Sequence, residues 1–217
     1  MGLSAEQLKA SLDALAMLEP AFARGLERVG YPAPRIRPRG YETLLRTIVG
    51  QQVSVAAANA IWARIALAIG ATDDPALLVA ASDEALRGAG LSRQKIGYAR
   101  SLAGLVASGE LDLDALPAED EAAIAALMRI KGIGRWSAEI YLLFAEGRAD
   151  IWPAGDLAVQ VETGRLLGLD GRPAEKATRA LAETWRPHRG AAAIFTWHHY
   201  GNAKAPGSAK APDKLPL

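Results

Sequence analysis

The chain has 217 residues, half of them apolar, which is enough for one sizeable domain or two small ones with a buried core. It contains no cysteine, so disulfide bonds, thiolate catalysis, cysteine zinc sites and an iron–sulfur cluster are excluded. The net charge of +1 does not point to a class of partner. Basic residues do cluster locally, as at Arg35, Arg37 and Arg39, but such clusters could equally be solvated surface charges.

Apolar residues recur at helical spacing along most of the chain. Ser4 and Gln7 match a capping box in front of the first helical stripe, which includes Leu8, Leu12 and Leu15. The remaining helical patterns cover residues 41–69 with a break near residue 50, then a short segment from residue 75, 82–90, 92–106, 120–128, 136–144, 156–167, 173–185 and 190–200. No convincing alternating strand pattern interrupts them, so the sequence predicts an all-α fold. Residues 201–217 are rich in Pro, Gly, Ala and Lys and are predicted to be a disordered tail.

The N-terminal segment places Glu6 and Asp13 among its apolar positions, which does not match a signal peptide. No stretch of the sequence approaches the length of a membrane span. We therefore expect a cytoplasmic protein.

A glycine hairpin between two helical patterns, at residues 127–138 (LMRIKGIGRWSA), is the first candidate functional motif. Gly132 and Gly134 allow a tight turn and a close approach of the backbone to a ligand. The first amides of the following helix have no partner inside it, and the helix dipole favours an anion there. The motif therefore predicts a phosphate site formed by Gly132, Gly134 and Arg135.

A second motif, PAGDL at residues 153–157, places Asp156 at the start of the next helical pattern. An aspartate at this position commonly acts only as a helix cap. If the connecting segment folds over, the carboxylate would face back toward the hairpin. Capping and a chemical role are compatible, because the cap holds the carboxylate still.

Together with two flanking segments, these motifs resemble the helix-hairpin-helix DNA glycosylase superfamily. Its pattern is a hairpin of the form LxxxxGxGRxxA followed by a loop with an essential aspartate, here residues 127–138 and Asp156. IVGQQVS at residues 48–54 resembles the segment that fills the gap left by a flipped base in the 3-methyladenine DNA glycosylase II branch. Trp185-Arg186-Pro187 and Trp197 resemble that branch's C-terminal helix, so the resemblance covers roughly residues 35–200.

The resemblance implies a two-lobed all-α fold with the active-site cleft between the lobes, in a short form without the N-terminal β domain of the long enzymes. One lobe is expected around residues 40–115 and carries the DNA wedge. The other is expected to combine residues 1–39 with residues 116–200, including the hairpin. The absence of cysteine separates the chain from the endonuclease III branch, which carries a four-cysteine cluster.

By the same resemblance, we expect a monofunctional DNA glycosylase that acts as a monomer in base excision repair. It would flip alkylated bases such as 3-methyladenine or 7-methylguanine out of double-stranded DNA and hydrolyse their N-glycosidic bonds. Asp156 is expected as the catalytic carboxylate, which would stabilise the developing oxocarbenium charge or activate the attacking water. Trp136 stands where bifunctional members have a Schiff-base lysine, so strand cleavage is not expected.

Three aromatic residues, Trp136, Trp197 and Tyr41, are expected in the base pocket, because aromatic rings attract a cationic alkylated base. Either tryptophan could instead be a core residue. Gln52 falls at the position of a leucine wedge in the long-form enzyme, so Gln52, with Gln51 beside it, is expected to enter the duplex. An exposed helix start would give the same pattern.

The resemblance also implies that main-chain carbonyls at Met128, Ile130 and Ile133 hold sodium or potassium between the hairpin and a phosphate; no other cofactor is expected. Two alternative functions stay open. One is a non-catalytic DNA-binding module, for which an acid at Asp156 would have no use. The other is a glycosylase for oxidised or mismatched bases, against which the missing cysteines and Trp136 argue.

Overall fold

The computed structural model describes residues 2–202, and all regular secondary structure within this range is helical, which confirms the predicted all-α fold. The α-helices are α1 (Ala5–Leu18), α2 (Pro20–Val29), α3 (Tyr41–Gly50), α4 (Val55–Ile69), α5 (Pro75–Ala80), α6 (Asp83–Gly88), α7 (Arg93–Ala107), α8 (Asp120–Met128), α9 (Arg135–Tyr141), α10 (Leu157–Leu166), α11 (Glu175–Leu181) and α12 (Arg189–Asn202). A π-helical turn (Leu142–Glu146) follows α9, and a 3₁₀ turn (Ala182–Trp185) follows α11. No helix in the described range is long and apolar enough to cross a membrane.

The described residues divide into two compact units. The first, called here the aspartate unit, consists of residues 2–37 and 142–202 and contains Asp156. The second, called the hairpin unit, consists of residues 38–141 and contains the glycine hairpin. This division differs from the expected one, which grouped residues 116–200 with the N-terminal segment. The hairpin belongs instead with residues 38–115, because its backbone is bonded to side chains of that segment, as described below.

The helix starts follow from local side-chain chemistry. The predicted capping box is confirmed: Ser4 Oγ accepts the Gln7 backbone N–H at 3.2 Å, and Gln7 Oε1 accepts the Ser4 N–H at 2.9 Å. Ser54, Ser82 and Ser92 cap α4, α6 and α7 through the same kind of side-chain bond to a backbone amide. Each cap satisfies an amide that has no partner within its own helix, and thereby fixes where the helix begins.

The core of the aspartate unit surrounds α12, which is buried along most of its length and packs against α1, α2 and α10. Aromatic rings fill this core. Trp185 makes two edge-on contacts, with Phe22 at a centroid distance of 5.1 Å and with Trp152 at 5.4 Å. Phe195 of α12 joins Phe22 at 5.6 Å. Trp185, in the segment that resembles the family's C-terminal helix, is therefore a core residue.

The core of the hairpin unit is built on α7, which packs against α3, α5 and α6. Its buried residues Ile96, Ala99 and Leu102 lie on one helical face, as their spacing requires. Helix α3 also packs against α4, and α8 packs against α9 across the hairpin. Helix α7 thus supports the segments that carry both the predicted wedge and the hairpin.

Two local features depart from the sequence prediction. Helix α2 was not predicted; it follows α1 after the single residue Glu19, whose side chain caps it, and Pro20 occupies its first position, where a missing N–H costs nothing. Gly201 and Asn202, predicted as the beginning of the tail, are instead the last residues of α12. The rest of the predicted tail lies outside the described residues.

Candidate active site

Asp156 is the N-cap of α10, and its half-buried carboxylate is held by hydrogen bonds from two directions. Oδ1 accepts the backbone N–H of Val159 at 3.0 Å and the indole N–H of Trp197 at 3.1 Å. The turn in front of it is braced from α10, because the side-chain amide of Gln160 donates to the Ala154 carbonyl at 2.8 Å. The carboxylate therefore has a fixed position, set by a bond within its own helix and a bond from α12.

Trp197 connects this carboxylate to a short series of stacked groups within the aspartate unit. Its ring lies 5.6 Å from that of Phe144 at an angle of 33°. The guanidinium of Arg35 lies 5.6 Å from the Phe144 centroid, at a distance suited to cation–π attraction. Asp156 and Trp197 are thus bonded directly. Trp197 is only 4% exposed, so it packs in the core, and its contact with a base stays a prediction. Phe144 and Arg35 were not among the predicted site residues.

Phe144 lies in the π-helical turn, a distortion that often occurs at functional sites. Its carbonyl accepts the Arg37 N–H at 2.9 Å, so the irregular segment at residues 30–37 approaches this turn. Burial lowers the pKa of the Arg35 guanidinium from its ordinary value. The sequence signal for these residues was weak: Phe144 was the last apolar residue of a helical pattern, and Arg35 was one of a cluster of surface-like charges.

The turn of the hairpin motif, residues 129–134, joins α8 to α9 within the hairpin unit. Ile130 and Ile133 are buried and anchor it, and the Ile133 N–H donates to the Ile130 carbonyl at 3.0 Å. The Lys131 N–H donates to Ser101 Oγ of α7 at 3.0 Å. This bond holds the turn against α7, and Lys131 itself is exposed.

Glycine suits positions 132 and 134 of the hairpin for different structural reasons. Gly132 has a φ of +84°, which side chains rarely tolerate, and a Cβ on it would lie only 2.2 Å from the ring of Tyr98. Gly134 does not have a positive φ, and nothing lies within 4 Å of the place where its Cβ would be. Gly132 is therefore required by packing inside the unit, while Gly134 leaves open space where a ligand can approach its backbone.

Arg135, predicted to bind phosphate, is engaged with acidic side chains in this structure. Its guanidinium forms a paired contact with Glu121 of α8, at 2.9 Å and 2.5 Å, and its Nε donates to the buried Glu139 at 3.0 Å. The hydrogen bond to Glu121 raises the pKa of Arg135, and the charges of both acids add to it. A phosphate would have to compete with these carboxylates, so a phosphate contact by this side chain stays a prediction.

The two predicted wedge residues differ in their surroundings. They lie in the segment called here the wedge turn, which consists of Gly50, the last residue of α3, and residues 51–54, which lead into α4. Gln52 is exposed and has a φ of +57°, a left-handed conformation that is uncommon for a residue with a side chain. Gln51 is half-buried, and its side-chain amide donates to the Gly132 carbonyl at 2.9 Å. Of the two, Gln52 is the one with its side chain in solvent, and its role as a wedge stays a prediction.

The two remaining base-pocket candidates, Trp136 and Tyr41, belong to the hairpin unit. Trp136 at the start of α9 is 38% exposed, so it is not a core residue. Tyr41 at the start of α3 is buried, and its hydroxyl has no hydrogen-bond partner within the described range. Burial raises the pKa of this hydroxyl, and the negative charge of Asp74 raises it further. A contact of either ring with a base stays a prediction.

Comparison with known proteins assigns the family. Residues 45–187 match the model of the HhH-GPD superfamily base excision DNA repair protein family. The chain belongs to the HhH-GPD superfamily. It is 34% identical over 161 residues to DNA-3-methyladenine glycosylase 1 of Schizosaccharomyces pombe, a match that covers 72% of this chain and 71% of that protein. It is 30% identical over 197 residues to DNA-3-methyladenine glycosylase 2 of Escherichia coli, covering 84% and 67% respectively.

Solved structures of HhH-GPD proteins confirm the fold. The DNA-3-methyladenine glycosidase of Bacillus halodurans superposes with a TM-score of 0.81 at 32% identity, covering 89% of this chain and 90% of that one. The 3-methyladenine DNA glycosylase of S. pombe, solved in complex with abasic DNA, gives a TM-score of 0.74 at 29% identity and covers 93% and 100%. The match to one relative, from Bacillus subtilis, spans only 58% of that protein's length.

Proposed function

We propose that the protein is a monofunctional DNA glycosylase that flips alkylated bases out of duplex DNA and hydrolyses their N-glycosidic bonds. The observation that carries this proposal is the Asp156 carboxylate, fixed at the start of α10 by Val159 and Trp197 in a member of a base excision repair family. The names of the similar proteins from S. pombe, E. coli and B. halodurans support alkylated purines such as 3-methyladenine as the substrate class.

The chemistry requires an anion near the sugar, because the ring becomes an oxocarbenium-like cation as the base departs. A carboxylate about 4 Å from that charge stabilises it by roughly 4 kcal/mol at an effective dielectric constant near 20. This corresponds to about a thousandfold in rate. Asp156 could also accept a proton from the attacking water. The bonds from Val159 and Trp197 hold it in place before substrate arrives, so little reorganisation is needed during the reaction.

An alkylated purine suits this arrangement. Alkylation at a ring nitrogen makes the base cationic and a good leaving group, so the enzyme needs to add little acid catalysis. Trp197 and Phe144, which are only 4% and 1% exposed, form a buried aromatic layer behind the Asp156 carboxylate. Trp136 is an indole at the place where bifunctional relatives carry an amine, and an indole cannot form a Schiff base with the sugar. The product is therefore an abasic site in an uncut strand.

Double-stranded DNA is the proposed partner, and the protein is proposed to act as a monomer. The hairpin would bind a phosphate through backbone amides near Gly134, where space is open. Gln52 would fill the gap in the duplex, lowering the cost of flipping, which is a few kcal/mol and least for a damaged pair.

A monovalent cation at the hairpin fits the donor chemistry. Met128 is the last residue of α8, and Ile130 and Ile133 lie in the turn that follows it. The Ile130 carbonyl already accepts the Ile133 N–H, but a carbonyl oxygen has a second lone pair. The main-chain oxygens of these three residues would hold sodium or potassium, which would supply positive charge next to a phosphate. Within residues 2–202, no group of three acidic or histidine side chains is placed to hold a metal ion.

The test is an excision assay on methylated duplex DNA, in which released bases are separated and identified and the strand is probed with and without alkali. We expect release of alkylated purines and strand breaks only after alkali. Strand breaks without alkali would contradict the monofunctional assignment. Release only from oxidised or mismatched duplexes would contradict the substrate class. DNA binding without release of any base would show that the protein is a non-catalytic DNA-binding module.

A further inference from the structure

The wedge turn and the hairpin lie 81 residues apart in sequence but are bonded directly within the hairpin unit. The side-chain amide of Gln51 donates to the Gly132 carbonyl at 2.9 Å. This bond reaches from the residue beside the predicted wedge to the glycine at the centre of the hairpin. The side chain of Gln51 is thereby directed to the protein, in contrast to that of Gln52.

Helix α7 supports both segments from one face. Lys95 Nζ donates to the Val49 carbonyl at the end of α3 at 2.7 Å, immediately before the wedge turn. Tyr98 packs its ring on Gly132, and Ser101 accepts the Lys131 N–H. Because residues 95, 98 and 101 are spaced by three, they follow one another along the same side of the helix. At about 1.5 Å per residue, this face spans about 9 Å from the wedge turn to the hairpin.

The wedge turn needs such support. Gln52 has a left-handed backbone conformation, which a residue with a side chain keeps only when its surroundings hold it there. Val49 and Gln51 are the flanking points at which the turn is fixed, one through its carbonyl and one through its side chain. The half-buried ammonium of Lys95 also sits at the carbonyl end of α3, where the helix dipole favours a cation.

We propose that Gln51 and Lys95 are positioning residues that fix the wedge turn relative to the phosphate-binding hairpin. The hairpin would then bind the DNA phosphate backbone, and Gln52 would enter the duplex, without a prior rearrangement of either segment. This inference rests on the proposed function, since it assumes that the two segments meet the same duplex. Preorganisation helps because a turn that is already ordered loses less freedom on binding. The benefit applies only where a gap must be filled, that is, in a duplex.

The first experiment compares two probes: a duplex with a tetrahydrofuran abasic analogue, and the same strand alone. Gln51→Met keeps the length and bulk of the side chain but has no donor. We expect its affinity for the duplex to fall about three- to tenfold, the value of one hydrogen bond, with affinity for the single strand unchanged. The control is Gln7→Met, because the exposed Gln7 side chain accepts the Ser4 N–H at the start of α1, in the aspartate unit. It should match wild type on both probes.

A double-mutant cycle with Gln52→Ala tests the coupling. If Gln51 acts by positioning the wedge, Gln52→Ala should weaken duplex binding less in the Gln51→Met background than in wild type. Full additivity, or an equal loss on duplex and single strand, would overturn the proposal. This measurement needs no base release, so it can be read even if wild type excises nothing and the proposed function fails.

Lys95→Met separates positioning from direct phosphate contact. An ammonium bound to the Val49 carbonyl releases no counterion from DNA, so the slope of log affinity against log salt concentration should be the same as in wild type. A slope reduced in magnitude by about one would show that Lys95 binds phosphate, and would overturn its positioning role.

A spin label tests the order of the wedge turn directly. The chain has no cysteine, so Gln52→Cys provides a unique site for a nitroxide label. We expect the label to become more mobile without DNA when Gln51→Met is added; unchanged mobility would also overturn the proposal.

Discussion

Replacing Asp156 by asparagine separates the charge of the carboxylate from its structural role. Asparagine caps helices about as well as aspartate. Its side-chain oxygen can still accept from both the Val159 N–H and the Trp197 indole N–H. The lost favourable interaction of a negative charge with the start of α10 is about 0.3–1 kcal/mol. For a chain of this size, that lowers Tm by no more than about 2–4 °C.

The effect on the reaction should be far larger. Without the charge, the developing oxocarbenium ion loses roughly 4 kcal/mol of stabilisation, so the rate of base release should fall about a thousandfold. The assay is single-turnover release of 7-methylguanine from duplex DNA, alongside thermal unfolding and affinity for an abasic-analogue duplex. Affinity should not fall, because an anion near the phosphates has been removed.

A matched control is Asp112→Asn. Asp112 is exposed, and its carboxylate also accepts two backbone N–H groups, from Asp114 and Ala115, at 2.9 Å and 3.2 Å. It should keep the wild-type rate. If the Asp156 variant retained more than about a tenth of the wild-type rate, the charge would contribute less than about 1.4 kcal/mol, only about a third of the stabilisation expected from Coulomb attraction. Asp156 would then be a cap and not the catalytic group.

The hairpin glycines and two tryptophans can be tested in the same assays. Gly134→Ala should weaken binding to all DNA sequences about equally, with Tm unchanged. Gly132→Ala should lower Tm, because residue 132 has a positive φ and the Tyr98 ring lies beside it. Equal changes in Tm for the two variants would contradict this. Trp197→Phe keeps a ring for Phe144 but removes the donor to the carboxylate, so base release should slow about tenfold, the value of a hydrogen bond to a charged group; an unchanged rate would show that this bond is dispensable. Trp136→Ala should reduce excision of cationic 7-methylguanine about two- to thirtyfold more than that of neutral hypoxanthine, and an equal loss would indicate a packing role.

Features governed by neighbouring residues could be predicted from the sequence. The capping box at Ser4 and Gln7, the cap at Asp156 and the turn at Gly132 each depend on a few adjacent residues whose chemistry allows little else. The helical spacing of apolar residues likewise predicted most elements. Helix α2 escaped because Glu19 both ends α1 and caps α2, which leaves no turn sequence between them.

Contacts between distant segments could not be predicted. Nothing near Gln51 in sequence indicates that its amide would bond to Gly132, and nothing near Arg35 indicates that it would stack on Phe144. Such pairs are selected by packing of whole helices, here α7 with α3 and the segments around α12. The membership of the hairpin in the same unit as the wedge turn has the same origin.

The two interpretations of Asp156 that the sequence left open, a helix cap and a catalytic carboxylate, are compatible in this structure. The Val159 amide, which lies three residues away in sequence, and the Trp197 indole, which lies on α12, both donate to the same oxygen. Folding therefore fixes the carboxylate from two directions before DNA binds, and an anion that is already oriented stabilises a developing cation without further reorganisation. The Trp197 bond is the part that a simple helix cap does not need. Its loss should accordingly affect the rate of base release more than the stability of α10.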